Sequence, residues 1–65
     1  MTLKQLQKLP VGAKINKPGS GIWTIESNNN EEACIVHTHG WAWYVIYEKW
    51  SDEKWGAWFK GAKRV

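Results

Sequence analysis

The 65-residue chain contains one cysteine, Cys34, so no intrachain disulfide can form. An unpaired thiol suits a reducing compartment. No run of about 18 apolar residues occurs, which excludes a membrane-spanning helix. The opening segment "MTLKQLQKLPVG" lacks the unbroken apolar centre of a secretory leader. These absences lead us to expect a soluble, cytoplasmic protein with no membrane contact. Arginine is scarce: Arg64 is the only one. Base-specific reading of guanine leans on arginine, but nonspecific phosphate contacts need only lysine. Acid is missing from both ends. Residues 1–25 carry Lys4, Lys8, Lys14 and Lys17, and residues 54–65 carry Lys54, Lys60, Lys63 and Arg64. All six acids fall between Glu26 and Glu53, and the net charge is +3. Chain ends often lie close together. If they do so here, they form one basic patch suited to nucleic acid or to an acidic protein, although the same lysines would also serve as ordinary solvated surface.

Tryptophan is abundant, with six in 65 residues. A single domain of this size buries only about 60% of its unfolded surface, and such small scaffolds normally need a staple. Aromatic rings, each burying about 150–250 Å², can replace the missing disulfide.

"TLKQLQKL" predicts a short helix. Thr2 and Gln5 have capping-box spacing, Leu3 and Leu6 share a face, and Pro10 biases Leu9 out of helical geometry. "VGAKIN" predicts a strand and "KPGSG" a turn. In "IWTIES" the alternation places Trp23 and Ile25 on one side and Thr24 and Glu26 on the other. "NNNEE" is a polar turn, "ACIVHTH" a strand, and "WAWYVIYEKW" the next strand after Gly40. "SDEK" reads as a turn and "WGAWFKGAKRV" as a final strand with bends at Gly56 and Gly61. The whole reads as one domain, residues 1–65: a mostly β, small antiparallel barrel of about five strands, or a strongly bent sheet, with a short N-terminal helix.

The layout "LPVGAKI…GIWTI" followed by three strands resembles, as architecture, the small SH3-like barrels carried by phages and prophages. The resemblance implies a binding module rather than an enzyme. It transfers no functional residue.

The segment "HTHGWAWYVIYEKW" is apolar at both parities from Trp41 to Tyr47. A two- or four-residue loop around Gly40 pairs residues whose numbers sum to 79, and opposed residues share a face. One face then holds Cys34, Val36, Thr38, Trp41, Trp43 and Val45, and matches Trp23, Ile25, Trp55, Ala57 and Phe59 as core. The other exposes Ile35, His37, Tyr44, Ile46 and Trp50, joined by Trp58. A three-residue loop would exchange the faces of one strand relative to the other. Three readings compete for the second face. The Leu3/Leu6 helix could cover it. It could be a protein interface, self-association included, since aromatic rings with aliphatic neighbours make hot spots. Or it could stack nucleobases beside lysines.

Catalytic signatures are weak. His37 and His39 lie about 7 Å apart on a regular strand, but Cys34 points away from them. Zinc sites want four ligands, or three plus water, so no metal or other cofactor is expected. Cys34 reads as a small buried hydrophobe. "KPGSG" lacks the Lys-Ser/Thr ending of a phosphate loop, and so short a chain has little room for an enzyme-sized pocket. The expectation is a non-enzymatic binding protein, first a phage-type regulator or inhibitor. It would dock on a host protein, an acidic one by charge, through Ile35, His37, Tyr44, Ile46, Trp50 and Trp58. The alternative is a nucleic-acid-binding module using Lys14, Lys17, Lys60, Lys63 and Arg64.

Overall fold

A computed structural model describes all of residues 1–65. Thr2 caps helix α1 (Leu3–Gln7): its hydroxyl accepts from the Gln5 amide, and the Gln5 side chain accepts from Thr2 N. Strands β1 (Lys14–Lys17), β2 (Gly21–Asn28), β3 (Glu32–His37) and β4 (Ala42–Ile46) follow, then a 3-10 turn (Tyr47–Lys49), helix α2 (Asp52–Trp58) and the short strand β5 (Lys63–Arg64). The five strands form one antiparallel sheet in the order β4-β3-β2-β1-β5. The protein is therefore mostly β with a short N-terminal helix, as expected, in an open and barrel-like arrangement. No helix is long and apolar enough to cross a membrane.

Two expectations are corrected. First, the segment after Trp50 is mainly helical. Ser51 Oγ accepts from the Lys54 amide, and Asp52 and Glu53 lie in the first turn, where acids complement the helix dipole. Trp55 and Phe59, one helical turn apart, stack face to face at 4.3 Å and are fully buried. Ala57, expected in the core, is exposed. Second, paired residues of β3 and β4 sum to 78: Ile35 lies opposite Trp43 and Cys34 opposite Tyr44. The hairpin loop is Thr38-His39-Gly40, with Gly40 at φ +97° donating to His37 O. This three-residue loop needs a glycine in the left-handed region.

The inner face of the sheet thus holds Ile15, Trp23, Ile25, Ala33, Ile35, Trp43 and Val45, against which Leu6, Trp55 and Phe59 pack. Both helices cover this face. The outer face, with Thr24, Val36 and Tyr44, has no helix over it. Helix α1 therefore does not seal the second face.

A β-bulge at Glu26 lets Ile25 pair with Ile35 while Ser27 pairs with Cys34. The extra residue inverts the alternation and turns Asn28 inward. Its amide donates to the carbonyls of Leu6 and Leu9, each at 2.9 Å, and its oxygen accepts from the Tyr47 hydroxyl. One side chain thereby anchors the end of α1, where helical carbonyls lack partners. Helix α2 holds the start of α1: Trp55 Nε1 donates to Met1 O, and Leu3 N donates to Asp52.

In urea unfolding, Trp55→Ala is expected to cost about 3–5 kcal/mol, since it opens the core, and Asn28→Ala about 1–3 kcal/mol, since the Leu9 carbonyl and the Tyr47 hydroxyl lose their partner. Burial holds the Tyr47 phenol above its ordinary 10.0. The folded chain retains this proton more tightly than the unfolded chain. The stabilisation is therefore intact below the unfolded value and is lost as pH rises through the raised one. Thermal unfolding across the alkaline range should show a steeper fall for the parent protein than for Tyr47→Phe.

Candidate functional site: a tryptophan groove beside a basic edge

The turn Lys17-Pro18-Gly19-Ser20 closes on a bond from Ser20 N to Lys17 O of 2.9 Å, with Gly19 at φ +85°. Proline at the second position and glycine at the third suit this turn. It delivers Lys17 and Ser20 to one end of a groove of about 440 Å³. Trp23, Trp41, Ala42, Trp43 and Trp58 line the rest, and no acid does. Trp41 and Trp58 are 63% and 54% exposed. Trp43 lies edge-on to Trp58 at 5.3 Å and is half-buried above Trp23 and Phe59. Lys17 Nζ sits 5.7 Å from the Phe59 ring, a cation–π distance, which keeps a positive charge at the groove's end.

His37 braces this wall. It is 5% exposed, and Trp41 stacks on it at 4.8 Å. Nε2 bonds to Ser20 O, and Nδ1 accepts from His39 N at 3.1 Å. The carbonyl can only accept, so the proton sits on Nε2. Both ring nitrogens are engaged, which leaves none for a metal. No group of three or more His, Cys, Asp or Glu side chains is placed so that it could hold a metal ion.

The proposed docking face is redistributed. Ile35 and His37 are buried on the inner side, because the 78 register carries the odd residues of β3 inward. Trp50 is half-buried, edge-on to Trp43 and Trp55, with Lys54 Nζ 4.7 Å over its ring, so it belongs to the core margin. Tyr44 and Ile46 do lie exposed on the outer face. The Tyr44 phenol is raised above 10.0, first by its neighbour Cys34 and further by the carboxylates Glu26 and Glu32. Trp58 is exposed as expected, but on α2 in the groove, away from Tyr44. Trp41, expected in the core, projects from the loop end instead.

The alternative basic set is brought together in part. Strand β5 pairs with β1, placing Arg64 opposite Ile15 and Lys63 opposite Asn16. Lys14, Lys17, Lys63 and Arg64 share this sheet edge, and Lys60 lies in the link from α2. The acids Glu31, Glu32 and Glu48 gather instead around a separate cleft beside Ile46.

Set against family models, curated proteins and solved structures, the chain finds no match among them, and the site rests on its own geometry.

His37→Phe keeps the ring stack but strips Ser20 O and His39 N of their partner. It should cost about 1–3 kcal/mol in chemical denaturation and loosen Trp41, read as a changed near-ultraviolet circular dichroism spectrum.

Proposed function

We propose that the chain is a non-enzymatic binding protein of the small SH3-like, phage-type kind, a regulator or inhibitor that holds an acidic host protein in the tryptophan groove. The observation that carries this reading is the pair of exposed tryptophans, Trp41 and Trp58, flanking a groove whose only charged lining residue is Lys17. Tryptophan is the residue type most enriched where interface energy concentrates, and leaving two of them in water costs solvation that a partner would recover. Lysine at the rim steers an acidic partner and disfavours a basic one. A volume of about 440 Å³ is at the small end for ligand pockets and suits one or two apolar side chains of a protein partner.

A second reading, nonspecific single-stranded nucleic acid, is favoured by one observation: the groove adjoins the lysines of the β1–β5 edge. Single-strand sites extend over roughly 4–16 nucleotides, however, and the aromatic lining here is confined to one groove.

Capture from a nuclease-treated bacterial lysate separates the two. Trp58→Ala and Trp41→Ala are expected to fold and to weaken capture by about 2 kcal/mol or more each. Binding that survives nuclease and changes little between about 50 and 200 mM salt supports a protein partner, because phosphate contacts lose affinity steeply over that range. Retention of full affinity by both tryptophan variants would sink the groove as the working surface.

A further inference from the structure

Strand β4 lies at one end of the sheet, with β3 as its only neighbour. His37 N donates to Trp41 O and Tyr47 N donates to Glu31 O. In an antiparallel ladder the hydrogen-bonded pairs recur every second residue. Trp43 and Val45 therefore bond to β3, and the backbone groups of Ala42, Tyr44 and Ile46 point away from it. The outward N–H and C=O groups of Ala42 and Tyr44 and the N–H of Ile46 have no partner elsewhere in the molecule, while the Ile46 carbonyl sits at the N-cap of the 3-10 turn Tyr47–Lys49 and is shared with it. All three residues are exposed, so neither helix shields the edge.

The two edges of the sheet differ in a telling way. Strand β5 is two residues long, and both are cations, Lys63 and Arg64. Short length and charge are the usual devices that stop an edge from pairing. Strand β4 has neither. From Thr38 to Tyr47 the chain carries no lysine, arginine, aspartate or glutamate, and no proline or bulge interrupts the β4 pairing.

We infer that two copies of this chain associate edge to edge through β4, antiparallel about a two-fold axis at Tyr44. The free groups are self-complementary in that register: Tyr44 meets its own equivalent, and Ala42 meets Ile46 of the second copy. A two-fold interface requires this kind of matching. The Tyr44 rings become cross-strand neighbours on the outer face, where aromatic pairs contribute favourably. No like charges are opposed along the paired segment. The occupant is thus a second β4 rather than an arbitrary partner, because its apolar, uncharged sequence and its spacing of donors and acceptors match the edge it meets. Ala42 also lines the tryptophan groove, so the two surfaces adjoin.

Sedimentation velocity across dilution, from about 1 mM to about 5 µM, tests the inference by mass action. The parent protein should shift from about twice the 7.5 kDa chain mass toward the single mass. Tyr44→Pro removes an outward N–H that β3 does not use, a position where edge strands tolerate proline. Tyr44→Lys places like charges against each other at the axis. Each should weaken association about tenfold or more, while Trp58→Ala should leave it unchanged. If Tyr44→Pro fails to fold, Tyr44→Lys decides together with amide exchange on the parent: the amides of Ala42, Tyr44 and Ile46 should be protected when concentrated and exchange freely when dilute. A single chain mass at every concentration overturns the inference. So does a dimer that persists in the folded edge variants, or one abolished by Trp58→Ala alone.

Discussion

Trp55 and Phe59, stacked on each other and driven against the inner face of the sheet, are the contact on which the molecule depends. A 65-residue chain without a disulfide has little surface to bury, and an open five-stranded sheet leaves one side of its apolar face in water. Helix α2 closes that side with two rings that lose nearly all solvent exposure. The same helix then fastens the first residues of the chain: Trp55 donates to Met1 O, and Asp52 accepts from Leu3 N. The N-terminal helix, only five residues long and unstable by itself, holds its place because α2 and Asn28 grip it from two ends.

The groove grows out of this core rather than being added to it. Trp43 touches Phe59 on one side and Trp58 on the other, so a single tryptophan serves the interior and borders the exterior. Trp23 beneath it has an indole N–H that is buried without a hydrogen-bond partner, and its ring meets His37 and Phe59 edge-on. Rigidity follows from the arrangement. The side chains that would meet a partner pack on rings that are themselves buried or half-buried, and such support lowers the ordering cost of binding.

Much of this was readable from residue order. The capping box at Thr2, the inward Trp23 and Ile25, and the Lys17–Ser20 turn all follow from local chemistry, and the strand count from alternation. Two things were not. From sequence the α2 region reads as a turn over Ser51–Lys54 and a strand from Trp55 onward, because Gly56 and Gly61 look like bends and Trp55 and Trp58 favour sheets. The opposing signals, a serine cap, two acids behind it and a Trp55/Phe59 spacing of four, were present but weaker in appearance than the ring content. The hairpin parity was out of reach for another reason. Loops of two, three or four residues around Gly40 all satisfy the sequence, and only packing of Ile35 against the interior chooses among them. Ile35 and His37 moved inward as a result, and the expected binding face divided into a groove on one side and a Tyr44 edge on the other.

The turn from Thr38 to Gly40 therefore behaves as a counter. Adding or removing one residue there would transpose every side chain of the following strand, sending Trp43 and Val45 into water and Tyr44 and Ile46 into the interior. Changes of two residues would leave the allocation intact. Among descendants of this chain, the identity of His39 should drift while the length of that segment varies only in even steps.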